Sequence, residues 1–175
     1  FDMTGEIYPD SRAYDLDLLR TTDGSNYYQT QRWQRCMPDT LEKFSAVAYH
    51  FAHRLWAEAE IPIGIIHNAI GGSPMQSWIP ESVIAADPVL RKALPDWLNN
   101  PNLPSWTKLR ARQNLKSYFA ALDGPPPHHP FEPGFLYQAG ITPFADFPIK
   151  GVIWYQGESD ATQDGTNSPP IDPVL

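Results

Sequence analysis

Only one cysteine, Cys36, occurs in 175 residues, which excludes an intrachain disulfide framework, a cysteine zinc cluster and a CxxC redox motif. Basic side chains are also scarce. Thirteen Lys and Arg stand against twenty Asp and Glu, a formal charge of −7, and no Lys or Arg run is present that could follow a phosphate backbone, so nucleic acid is a poor partner. The sequence has no apolar run of ~18 residues and no basic-apolar-small leader. It therefore reads as a soluble chain without a membrane partner. A lost leader stays open, because the chain starts at Phe1 and stops at Leu175 within a Pro-rich stretch. No strained Gly-x-Ser-x-Gly elbow occurs, and none of the five histidines lies three residues after an aspartate.

What is present is globular in composition: 42% apolar and 13% aromatic residues, with nineteen prolines that imply many loops of fixed backbone. The length suits one domain, and there is no internal repeat. Residues 1–40 are polar and turn-rich, with turn signals at Tyr8-Pro9-Asp10 and Asp23-Gly24-Ser25-Asn26 and a short strand expected near Asp17 to Arg20. Phe44, Val47, Ala48, Phe51 and Leu55 then recur on one helical face, with Ser45 near the start and Ile61-Pro62 as the stop. Ile63 to His67 is a short apolar strand that runs into Asn68-Ala69-Ile70-Gly71-Gly72-Ser73-Pro74, where paired glycines permit positive φ and close backbone approach to a ligand. Helical pieces follow from Pro80, the last running from about Trp106 to Leu122. The Pro-rich stretch from Asp123 to Pro130 reads as a stiff surface excursion that carries His128 and His129, and Phe135 to Phe147 is expected to hold a short helix.

Gly151 to Gln156 is the strongest strand signal. Val152, Ile153, Trp154 and Tyr155 are β-branched or aromatic and do not alternate with polar residues, as in a parallel strand covered on both faces. Parallel sheets place ligands at the carboxyl ends of their strands. Two such strands, one ending in Gly71-Gly72-Ser73-Pro74 and one in Gln156-Gly157-Glu158, would bring backbone N–H groups and a side-chain amide to one edge. Those groups are donors for an oxyanion, which acyl transfer requires as charge develops on the carbonyl oxygen.

Taken in order, the stretches Phe44 to Tyr49, Ile61 to Ile66, Ile70-Gly71-Gly72-Ser73-Pro74-Met75-Gln76-Ser77-Trp78 and Gly151 to Ser159 resemble the sialate O-acetylesterase-like branch of the SGNH hydrolases. The likeness covers roughly residues 33–161. It implies a three-layer α/β/α, flavodoxin-like fold with a mainly parallel sheet, incomplete at both ends, so that residues 1–175 form a single truncated domain. The implied activity is a metal-free, cofactor-free serine esterase that removes acetyl groups from sugar hydroxyls, in a secreted, periplasmic or lysosomal setting. By the same resemblance, Gly72 supplies an oxyanion-hole N–H with Gly71 and Ser73 beside it. Gln156 is the neutral amide of the hole, and Glu158 orients the base or binds sugar. Asn68, Trp78 and Tyr155 are the candidates to contact the O-acetylated carbohydrate.

The sequence departs from that family in two places that matter. The nucleophile's Gly-Gln-Ser-Asn box and the base's Asp-x-x-His box are both absent, so the chain resembles the middle of a longer enzyme and needs the remainder of its own polypeptide. Gln138-Ala139-Gly140 also stands where the family reads Asn-Gly-Met. Acetylated xylan or another acetylated glycan is an alternative substrate, and a carbohydrate-binding domain without turnover is an alternative function. Ser73 is read as a loop residue and not a nucleophile. His50 and His53 sit i, i+3 on a helix with no third metal ligand in view. His67 is either catalytic or a structural hydrogen-bonding group, while Trp78 and Trp154 either stack on sugar or pack in the core.

Overall fold

A computed structural model describes residues 3–7, 14–22, 24, 27–28, 33–122, 124 and 126–160. The turn expected at Tyr8-Pro9-Asp10, most of that at Asp23 to Asn26, and the tail beyond Asp160 lie outside the described residues.

The described sheet has three strands in the order β2-β1-β3. Strand β1 (Met3–Ile7) pairs in parallel with β3 (Ile63–His67), from Met3 opposite Ile63 to Ile7 opposite His67, and antiparallel with the two-residue β2 (Gln34–Arg35). Strand β3 falls where its apolar run predicts it. Strands β1 and β2 lie in a segment that reads as loop, and the strand expected near Asp17 is instead helix α1 (Leu16–Thr21). The reason is local: the Asp15 side chain accepts from Leu18 N–H at 2.9 Å and caps the helix, and Leu18 and Leu19 are buried on its inner face.

Helix α2 (Ala46–Ala59) begins at Ser45, whose hydroxyl accepts from Ala48 N–H, and ends with Glu60 in the left-handed conformation. Its position matches the sequence, but its apolar face is not covered: Val47, Phe51 and Leu55 are exposed, and Ala52 is its buried residue. The expected helix from Trp106 to Leu122 is broken at Leu115 into α4 (Ser105–Asn114) and α5 (Lys116–Ala121), following the short α3 (Glu81–Ala86). Thr107, Ala111, Leu115 and Tyr118 form the inward stripe, whereas Leu109 and Leu122 face solvent.

The core lies among α1, α4, α5 and the segments 93–103 and 131–139. One cluster joins Leu18, Leu19, Tyr27, Ile70, Leu115, Tyr118, Phe135, Leu136 and Ala139. A second joins Trp97, Leu98, Leu103, Ala111 and Phe131. The Pro-rich stretch is only partly the expected surface excursion: Gly124, Pro126 and His128 are exposed, whereas Pro127, His129 and Pro130 are buried in this core and His128 N–H donates to Leu19 O at 3.1 Å. The helix expected between Phe135 and Phe147 takes the form of a π turn at Tyr137–Ile141 followed by a 3₁₀ turn at Thr142–Phe144.

The largest correction concerns Gly151 to Gln156, which is not a strand. Val152 is 71% and Tyr155 75% exposed, and Ile153 and Trp154 are also on the surface. An apolar extended segment becomes a buried strand only where neighbours supply a hydrogen-bond ladder and covering faces, and none does so among the described residues. What the described residues form is a helix-rich α/β fold on a small mixed sheet, and the expected mainly parallel three-layer arrangement is not seen among them. Among them, no helix is long and apolar enough to cross a membrane.

Candidate active site

Strand β3 delivers its carboxyl end, through His67 and Asn68, into the turn Ile70-Gly71-Gly72-Ser73. Ser73 N–H donates to Ile70 O at 3.2 Å, which closes the turn, and Gly72, its third residue, has φ +73°, the type II arrangement that favours glycine there. Ser73 is buried. Its hydroxyl donates to Ile70 O at 2.8 Å and accepts from Trp78 Nε1 at 2.9 Å, so it acts as a joint between the turn and the 3₁₀ turn Met75–Trp78.

Residues 156–160 come back to this turn from more than eighty positions away. Gln156 Nε2 donates to Ser73 O at 3.4 Å and also to the Asp160 carboxylate. That carboxylate in turn accepts from Met75 N–H at 3.0 Å. Trp154 meets Trp78 edge-on, with ring centroids 6.2 Å apart. A Cβ on Gly72 would sit 3.9 Å from Ser159 Oγ and 3.7 Å from Phe131 Cζ. Gly71, Gly72, Ser73, Trp78 and Gln156 are thus brought together. Glu158 and Tyr155 lie beside them on the exposed side of the segment, and Gly157, at φ +132°, makes the bend between Gln156 and Glu158.

Asn68 is engaged elsewhere. Its Nδ2 donates to Gly140 O at 2.7 Å, while its Oδ1 is buried with no hydrogen-bond partner. Gln156 Oε1 is in the same condition, while the hydrogens of its amide point toward Asp160 and Ser73 O. A buried acceptor left unpaired costs ~1–3 kcal/mol, so both oxygens mark places where the site is incompletely satisfied. To donate to an oxyanion, Gln156 must give up one of its two present acceptors.

Sequence reasoning missed four residues: Asp160, Gly140, Tyr14 and His129. Asp160 directly follows the Glu158-Ser159 pair, and its position was the available signal. Gly140 has none, since its role depends on Asn68 lying against it: a Cβ there would be 2.7 Å from Asn68 Oδ1 and 2.8 Å from Tyr28 Cε2. His129 is fully buried, and burial pushes its pKa down to about 3. His50 and His53 lie exposed on α2 against Tyr49. Among the described residues, no group of three or more His, Cys, Asp or Glu is placed to hold a metal ion.

A surface cavity of about 250 Å³ opens elsewhere, at residues 92–102, and contains none of the candidate residues. Its amides are already committed, with Asn100 bonded to Lys92 O, Pro95 O and Asn102 and with Asn99 bonded to Asp96.

No family model matches the chain. It is 26% identical over 117 residues to sialate O-acetylesterase of Rattus norvegicus, covering 67% of this chain and 22% of the relative. It is 28% identical over 116 residues to sialate O-acetylesterase of Homo sapiens, covering 66% and 17%. In structure it matches a carbohydrate acetylesterase from Xanthomonas citri with a TM-score of 0.56 at 25% identity, over 93% of this chain and 26% of that one. The chain therefore spans about a sixth to a quarter of the length of the relatives it matches.

Proposed function

We infer from these likenesses, which bear out the resemblance to sialate O-acetylesterases, that the chain is part of a hydrolase acting on an acetylated carbohydrate. We propose that residues 1–175 form the oxyanion-side part of a carbohydrate O-acetylesterase of SGNH type, in which the acyl-enzyme serine and its base lie outside these residues. The observation that carries this reading is the convergence of the Gly71-Gly72-Ser73 turn with Gln156, 3.4 Å from Ser73 O, at the carboxyl end of β3. In that role Gly72 N–H and Gln156 Nε2 bind the developing oxyanion, and Glu158 supports the base or the sugar. Asn68, Trp78 and Tyr155 contact the substrate. The exposed run Val152 to Tyr155 would take its place as a buried parallel strand when the remaining chain supplies its neighbours, completing the three-layer sheet.

The test is to express the full reading frame and measure acetate release from O-acetylated sialic acid, acetylated xylan and an activated acetate ester. Turnover by the full-length protein, with none above background from residues 1–175 alone, is the expected result. No release from any of the three substrates by a folded full-length protein would end the enzyme reading. One observation favours a second reading, a carbohydrate-binding domain without turnover: both Gln156 N–H groups are already directed at Asp160 and Ser73. Sugar binding without acetate release would identify it.

A further inference from the structure

The peptide between Gly71 and Gly72 carries two groups of opposite direction, the Gly71 carbonyl and the Gly72 N–H, because a trans peptide is planar and holds them antiparallel. Whatever holds that carbonyl therefore also aims that N–H. Glycine pairs do not hold it themselves: a Cβ at Gly71 would meet nothing within 4 Å, and the middle peptide of a turn flips readily between the type I and type II arrangements when glycine is present.

We infer that Tyr14 and His129 are positioning residues that fix this peptide in one of its two orientations, and so aim the Gly72 N–H at the place where an oxyanion would form. The Tyr14 hydroxyl donates to Gly71 O at 3.3 Å, across 57 positions of sequence. The Tyr14 ring is held by stacking on the His129 imidazole, with centroids 5.5 Å apart and planes 24° apart. The imidazole also stacks on Trp97, at 5.8 Å and 29°. Phe131 closes the assembly edge-on, 4.9 Å from His129 and 6.4 Å from Tyr14, and reaches beneath Gly72.

The imidazole suits this position only in its neutral form. Its Nδ1 accepts from Phe131 N–H at 3.0 Å, which assigns the ring proton to Nε2, and Nε2 is buried with no hydrogen-bond partner. With its pKa depressed by burial, the ring stays neutral at physiological pH and serves as a flat spacer between two aromatic rings.

This inference rests on the oxyanion-side reading for its catalytic consequence but not for its structural claim, and the two are separable by experiment. In the full-length protein, Tyr14→Phe keeps the ring stack and removes the hydroxyl. The expected result is a kcat for acetate release lowered about three- to tenfold, the range for one neutral hydrogen bond, with KM and melting temperature nearly unchanged. The Gly72 amide and Gly71 carbonyl resonances should shift. Tyr14→Leu, which also removes the stack, should lower kcat further. A folded Tyr14→Phe protein whose Gly71 and Gly72 resonances match the wild type overturns the inference, whatever its activity. Shifted resonances with unchanged kcat overturn the catalytic positioning. A wild-type protein that releases no acetate overturns the esterase reading, and the resonances then decide the peptide's orientation by themselves.

Discussion

Acidification is expected to destabilise this protein through His129, by an amount that the structure lets one bound. The ring is fully buried and faced by Tyr14, Trp97 and Phe131, none of which offers a charge to a protonated imidazole. Burial pushes its pKa down to about 3, against ~6.5 in an unfolded chain. Between these values the unfolded state binds a proton that the folded state refuses, so stability rises with pH across that window. The full contribution is present above pH ~6.5 and falls by about 1.4 kcal/mol per unit below it, or roughly 3 kcal/mol by pH 4. Against a typical total of ~5–15 kcal/mol, that loss is large.

The assay is urea denaturation at pH 7.5, 6, 5 and 4.5, for the wild type and His129→Phe. The variant keeps an aromatic ring between Tyr14 and Trp97 but leaves Phe131 N–H unpaired, so at pH 7.5 it should be about 1–3 kcal/mol less stable. That gap should close as the pH falls, because only the wild type has a ring to protonate and carboxylate effects are common to both. Parallel pH profiles for the two proteins would refute the reasoning.

Three further outcomes are expected. Gly140→Ala should cost roughly 1–3 kcal/mol in denaturation midpoint terms, because its Cβ overlaps the Asn68 amide and Tyr28, whereas Gly71→Ala, facing open space, should stay within about 0.5 kcal/mol; equal costs would dispose of the overlap argument. Ser73→Ala should lose ~1–2 kcal/mol of stability, since it strands Trp78 Nε1, and should leave kcat per folded full-length molecule unchanged; abolished turnover in a folded variant would make Ser73 the nucleophile. Gln156→Ala in the full-length protein should lower kcat by ~10²-fold with little change in KM, and full kcat in a folded variant would remove Gln156 from the site.

Local signals were legible wherever a segment's structure depends on its own residues. The Ser45 cap and Ile61-Pro62 stop bracket α2, the apolar run at Ile63 to His67 marks β3, and the glycine pair marks the turn. The Tyr-Gln-Gly-Glu and Gly-Gly-Ser-Pro boxes likewise pointed to the esterase relatives from sequence alone. Tertiary structure decided what depends on distant partners. Gly151 to Gln156 has the composition of a buried strand, yet a strand exists only where another strand completes its hydrogen bonds, and the described residues provide no such neighbour. The uncovered face of α2 has the same cause. His129 sits in a proline-rich stretch that reads as surface, and only the rings of Tyr14 and Trp97, brought from far along the chain, bury it. The bonds from Asn68 to Gly140, Tyr14 to Gly71 and Met75 to Asp160 span 57 to 85 positions. No periodicity or spacing encodes such pairs, because each partner satisfies its own local geometry equally well without the other.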